Sequence, residues 1–145
     1  MKESGSIPIL KLKEFLLVSI QIDLHDRMAE QLQQDILKRI AETQAKGVLV
    51  DISALETVDS FIGRTIAETA KMASILDAQF IIVGMPPTVS TTLVELGLTL
   101  GGVKTAMNLD EGYDMLMEEL KTRSEGARGW KQGLSPEIFS EDNSY

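Results

Sequence analysis

Cysteine is absent from this sequence. That removes disulfides, thiolate catalysis and Cys-based metal sites together. Histidine occurs once, at His25, so a Ser-His triad would have a single residue to draw on. His25 lies between Asp23 and Asp26 at the approach to a helical pattern, where a capping or exposed role suits it better than general-base work. Basic residues are scarce: 14 Lys and Arg stand against 22 Asp and Glu, a net charge of −8. Nucleic-acid affinity comes mainly from Lys and Arg neutralising phosphates, so the balance argues against such a partner. No apolar run is long enough to cross a bilayer, and residues 1–5 lack the apolar centre of a secretory leader. The expectation is a cytoplasmic chain with no membrane partner. There is no GxGxxG fingerprint, Walker A loop, HExxH motif or EF-hand loop. Asp51, Glu56 and Asp59 form no oxygen cage of recognisable spacing, and a solvated acidic loop is the better reading. No catalytic residue, metal site or cofactor is expected, and the chain reads as a non-enzyme.

What is present suffices for one domain with a real core: 145 residues, 43% hydrophobic and 25% charged. Residues 7–22, IPILKLKEFLLVSIQI, alternate in two registers. Leu10 and Leu12 share one face with Lys11 and Lys13 on the other, and past Lys13-Glu14 the apolar set moves to Leu16, Val18, Ile20 and Ile22. This spacing predicts a hairpin turning at Lys13-Glu14. A helical stripe follows at Met28, Leu32, Ile36 and Ile40, with Asp23 or Asp26 as N-cap and Gly47 at its end. GVLVDIS (47–53) and AQFIIVG (78–84) are short and continuously apolar, as strands buried on both faces are. Between them Ile62, Ile66, Ala70 and Ala73 lie on one helical face, which makes a right-handed parallel βαβ unit.

Another helix follows Pro86-Pro87, with Val89, Leu93 and Leu96 inward. VKTAMNL (103–109) alternates as an edge strand does. A last helix, DEGYDMLMEELKTR, turns Tyr113, Leu116, Met117 and Leu120 inward and has acids in its first turn. From Ser124 the glycines and a proline break the period, and residues 124–145 read as a mobile tail in which Trp130 or Ile138-Phe139 docks. The fold class is therefore α/β: a domain over residues 1–123, with an N-terminal hairpin, a mostly parallel sheet and about four helices. Its hydrophobic core is expected to include Val50, Ile52, Ile66, Ile81, Val83 and Leu93.

Functional groups of open sheets gather beyond the carboxyl ends of the strands. Two hydroxyls stand there at helix starts, Ser60 within DISALETVDSFIGR (51–64) and Thr88 after Pro86-Pro87. On local pattern the favoured role of Asp59 or Ser60 is a helix cap, and the same holds for Thr88. The other role for Ser60 is phosphoryl acceptor. An anion there would meet free backbone N–H groups and the positive end of the helix dipole, while Asp59 would oppose it. Cap and acceptor are compatible.

The stretch DIS-x-L-x-x-VDSF, followed by FIIVGMPP and by TLVELGLTLGGVKTAMNLDEGYDML, resembles the STAS domain family, the fold of bacterial anti-sigma-factor antagonists. Within it the similarity is to the RsbS-type stressosome scaffolds, over residues 7 to about 121 in order. The resemblance implies a phospho-switch with Ser60 as the regulatory site and a partner-binding rim at Thr57, Asp59 and Phe61; Thr88, by its place on the same strand-end rim alone, is a second and weaker acceptor candidate. The resemblance also implies a homo-oligomer, dimeric or larger, co-assembling with an RsbR-type paralogue. An RsbT-type serine/threonine kinase would be sequestered and then released on phosphorylation, and an RsbX-type phosphatase would reset the state. Direct antagonism of an anti-sigma kinase and a nucleotide- or small-anion-binding sensor remain open as alternatives. The tail from Ser124 and the hydroxyl at Thr88 have no counterpart in the family pattern.

Overall fold

The computed structural model describes residues 7–98 and 103–133, with side chains as far as Ser124. The chain divides into two compact units, Met1–Tyr113 and Asp114–Tyr145.

The first unit is built on a five-stranded sheet in the order β1-β2-β3-β4-β5. β1 (Ile9–Leu12) and β2 (Phe15–Ser19) form the antiparallel hairpin, and Lys13 takes the left-handed conformation in its turn (φ 57°). β3 (Gly47–Asp51), β4 (Gln79–Val83) and β5 (Lys104–Ala106) then add in parallel. Each parallel step moves the same way across the sheet, so right-handed crossovers put α1 (Asp26–Thr43), α2 (Ser60–Ile75) and α3 (Pro87–Glu95) on one face.

Alternation along the strands sorts the core into two layers. Leu16, Val18, Val48, Val50, Phe80 and Ile82 belong to the cluster beneath those helices, together with Ile36, Ile40, Ile62 and Leu93. Phe15, Leu49, Ile81 and Val83 point to the other face and are also buried. Burial on both faces is why β3 and β4 read as unbroken apolar runs. On that second face lies the start of α4 (Leu109–Gly133). Phe15 meets Tyr113 edge-on, with ring centroids 5.6 Å apart. A Cβ on Gly112 would lie 2.8 Å from Leu49 and 2.9 Å from Val83, so the helix approaches the sheet through a residue without a side chain.

All six expected core residues are in place. Five are buried, and Ile66 is half-buried against the same cluster. Several local expectations are corrected. His25, not Asp23 or Asp26, occupies the N-cap position of α1, and its side chain makes no cap bond; Asp26 is instead the first helical residue, an acid in the first turn. The helix closes at Gln44, in the left-handed conformation, and Gly47 begins β3. Ile22 and Leu96 are 47% and 44% exposed, because β2 ends at Ser19 and α3 at Glu95, before either can be carried inward. In the second unit Met117 is 43% exposed. There α4 continues past Arg123 to Gly133. Glu, Lys, Arg and Ala in SEGARGWKQ have helix propensity enough to carry the glycines, which cost ~1 kcal/mol each. Residues 134–145, including Ile138-Phe139, and the Trp130 side chain lie outside what is described.

Candidate functional site: the rim at the start of α2

Between β3 and α2 the chain runs DISALETVDS, and its apolar residues recur every third position. Ile52, Leu55 and Val58 are buried, whereas Ser53, Ala54, Glu56, Thr57 and Asp59 are exposed. Three apolar side chains therefore tack the loop to the core and leave its polar groups in solvent. Backbone bonds fix the turn: Ile52 N–H donates to Val83 O at 3.0 Å and Leu55 N–H to Ile52 O at 3.0 Å. The Asp51 carboxylate accepts from Ser53 N–H at 2.9 Å, an Asx turn that ends the strand.

Asp59 then caps α2. Its backbone is extended (φ −97°, ψ −179°), and its Oδ1 accepts from Ile62 N–H at 2.9 Å. Ser60 is the first helical residue and is half-buried. Among the described residues no hydrogen bond engages its Oγ. Of the two capping candidates the acid takes the role. One turn on, a Cβ at Gly63 would lie 2.7 Å from Leu98 Cδ1 and 2.9 Å from Leu93 Cδ2, so the α3 segment lies directly against this helix start. Thr57 and Asp59 face solvent, while Phe61 is half-buried and packs on the core.

Thr88 is placed differently from its expected capping role. Pro86 holds the cap position of α3, Pro87 is the first helical residue, and Thr88 is the second and exposed. A proline at the first position has the right φ and no N–H to satisfy, so this helix starts without a capping hydroxyl. The Thr88 carbonyl accepts from Thr92 Oγ1 at 2.8 Å.

Beyond the ends of β4 and β5 lies a groove of about 590 Å³, bordered by Ser53, Gly84, Pro86, Ser90, Thr105 and Glu111. A second, of about 380 Å³, is bordered by Asp51, Asn108 and Asp110. Neither includes Ser60 or Thr88. Gly84 shapes the wall with φ +71°, and a Cβ there would lie 3.0 Å from that of Ser53. Asn108 and Glu111 close the floor as a reciprocal cap: Glu111 N–H donates to Asn108 Oδ1 at 2.8 Å, and Met107 N–H to Glu111 Oε1 at 2.6 Å. The described residues contain no group of three or more His, Asp or Glu placed to hold a metal ion, and no helix among them is long and apolar enough to cross a membrane.

Two features escaped the sequence reading. Gly63 is one. The other is a polar seam between α1 and α2, where Gln33 Nε2 lies 3.0 Å from Thr69 Oγ1 and 3.1 Å from Glu68 Oε1. Its signal was available: Thr65 and Thr69 stand four apart on an otherwise apolar face.

Residues 6–112 match the STAS domain family. A structure of a serine-to-glutamate variant of RsbS from Moorella thermoacetica is 37% identical, covers 79% of this chain and 97% of its own, and superposes with a TM-score of 0.71. A chain from the molecular architecture of the stressosome, a signal integration and transduction hub, is 35% identical over 78% of this chain and 98% of its own, with a TM-score of 0.64. Among curated proteins, the RsbT co-antagonist protein RsbRA of Bacillus subtilis (strain 168) is 24% identical over 114 residues, 78% of this chain. The chain spans 42% of that relative's length.

Proposed function

This chain belongs to the STAS domain family, and from that premise we propose that it is a non-enzymatic scaffold and phospho-switch of a stressosome. Ser60 is the acceptor. The protein holds an RsbT-type serine/threonine kinase and releases it on phosphorylation, and an RsbX-type phosphatase restores the holding state. The observation that carries this reading is the division of labour at the start of α2: Asp59 supplies the cap, and among the described residues no hydrogen bond engages the Ser60 hydroxyl. A phosphoryl group at the first helical position meets unpaired N–H groups and the positive end of the dipole, so the fold accepts it. It also adds roughly −1.5 to −2 charges to a rim that already carries Asp51, Glu56 and Asp59, enough to change a protein contact.

Co-assembly with an RsbR-type paralogue is part of the proposal. The hairpin offers a surface for it: Leu10 and Leu12 are 58% and 37% exposed on the edge strand. Direct antagonism of an anti-sigma kinase would use the same serine. A nucleotide or small-anion sensor is less favoured, because the charged groups bordering the two grooves are the carboxylates Glu111, Asp51 and Asp110.

The test is to assemble the chain with an RsbR-type paralogue and an RsbT-type kinase, add ATP, and follow the kinase by gel filtration while mapping phosphate. The kinase should leave the high-mass fraction as Ser60 fills. A kinase that stays bound to fully modified protein, or phosphate that appears only elsewhere, would sink the reading.

A further inference from the structure

Thr65 and Thr69 are the buried polar residues of the described chain, 8% and 3% exposed. Each donates its hydroxyl back along α2: Thr65 Oγ1 to Phe61 O at 2.8 Å, and Thr69 Oγ1 to Thr65 O at 2.7 Å. Gln33 of α1 completes the line, with its amide nitrogen 3.0 Å from Thr69 Oγ1 and 3.4 Å from Thr65 O. A chain of hydrogen bonds thus runs from α1 up α2 and ends on Phe61, the neighbour of Ser60. Gln33 also donates to Glu68 Oε1 at 3.1 Å on the exposed side, and beside it Leu32, Ile36 and Ile66 make apolar contact around a small void of about 20 Å³. Apolar contact is non-directional and does not by itself set how far one helix slides along another. A directional bond from half-buried Gln33 to the buried Thr69 hydroxyl does.

We propose that Gln33 is a positioning residue for the modification of Ser60. It fixes the register of α2 against α1, and so holds the first turn of α2 where the Ser60 hydroxyl meets the phosphoryl donor. The proposal rests on the reading of Ser60 as acceptor. It assigns Gln33 to the transfer step and not to kinase binding, since Gln33 acts through α2 and the exposed loop before Ser60 is untouched.

The experiment compares wild type with Gln33→Leu, which keeps the bulk and removes the donor, and with Gln33→Glu, which keeps the length and faces Glu68 with a like charge. Phosphorylation by the RsbT-type kinase is measured as kcat and KM for the protein substrate, well below each variant's melting temperature. Both variants should lower kcat by at least about tenfold, because a reacting group misplaced by ~1 Å costs on the order of 10²-fold. KM should stay within about twofold, the mark of an interaction felt only in the transition state. The double variant Gln33→Glu, Glu68→Gln removes the like-charge pair but still offers no donor to Thr69 Oγ1 or Thr65 O, and should stay as slow as Gln33→Leu; recovery to the wild-type kcat would overturn the role of that line. Hydrogen exchange at the amides of Ile62 to Thr65 should quicken in Gln33→Leu, while β3 and β4 keep their protection.

Wild type carrying phosphate on Ser60, with Gln33→Leu modified as fast, overturns this inference alone. Wild type with no phosphate on Ser60 overturns it together with the reading it rests on. Should Gln33→Leu fail to fold, Gln33→Asn, whose amide stops one methylene short, is measured in its place. If that also fails to fold, Gln33 is a stability residue and the proposal falls.

Discussion

Ser60 and Thr88 begin neighbouring helices on the same rim, after adjacent parallel strands, yet the chain arrives at them by different physics. Before Ser60 comes a loop tacked down by Ile52, Leu55 and Val58, an acid that caps the helix, and then a half-buried hydroxyl with Gly63 pressed against Leu93 one turn on. Before Thr88 come two prolines that start the helix by backbone geometry alone, and its side chain is exposed. Neither hydroxyl caps its helix. Ser60 is half-buried between a loop and a helix turn that are both anchored in the core, whereas Thr88 is exposed. A protein kinase needs a hydroxyl that is both reachable and positioned, and that difference favours Ser60.

The sharpest way to break the comparison is to remove each hydroxyl. Ser60→Ala should abolish incorporation of phosphate by the kinase and leave the kinase retained after ATP is added. The fold should survive, since Asp59 remains as cap. Ser60→Asp should release the kinase only in part, because one carboxylate replaces a group with three acceptor oxygens. Phosphate incorporation into Ser60→Ala at the wild-type level would reduce Ser60 to an ordinary helix residue.

Packing beneath Ser60 is the next thing to perturb. Gly63→Val puts a branched side chain where even a Cβ would lie 2.7 Å from Leu98 and 2.9 Å from Leu93. Overpacking of this kind costs about 1–3 kcal/mol, to be read as a shift in the urea unfolding midpoint. A midpoint equal to wild type would show that the α3 segment gives way freely and does not hold the rim.

Capping gives a smaller difference between the two helices. Asp59→Ala removes the bond to Ile62 N–H and should cost ~1 kcal/mol. Its phosphorylation should persist, because the acceptor itself is unchanged. Loss of modification with the fold intact would make Asp59 a recognition residue as well as a cap.

Much of this was legible in the sequence, for a physical reason. The hairpin turn at Lys13-Glu14 announced itself because the apolar set changes register there, and β3 and β4 because burial on both faces leaves no polar position. The start of α2 was legible to within one residue, since either member of Asp59-Ser60 could cap; the choice depends on backbone geometry. Gly63 and Gln33 were not legible in themselves, because their roles lie in contacts with Leu93 and Leu98 in one case and with Thr69 in the other, far along the chain; only the α2 side of the seam, Thr65 and Thr69 on an apolar face, left a mark. Leu96 and Ile22 misled for a similar reason. Each continues an apolar period past the point where its element stops, and periodicity carries no information about where packing ends.

The smallest expected effect is at Thr88, and its smallness is what makes it informative. Thr88 donates no cap bond, because Pro86 occupies the cap position and Pro87 fixes the first helical φ. Its carbonyl, which accepts from Thr92 Oγ1, is unaffected by a change of side chain. Removing the hydroxyl and methyl therefore takes nothing from the core, and Thr88→Ala should change stability by less than about 0.5 kcal/mol, as exposed substitutions do. Kinase-dependent phosphate should remain at the wild-type level and map to Ser60 by mass spectrometry. If Thr88→Ala instead halves the incorporated phosphate while Ser60→Ala leaves the other half, the rim carries two acceptors. Accessibility would then outweigh positioning, and the contrast between the two helix starts would have to be drawn from the kinase's side of the contact.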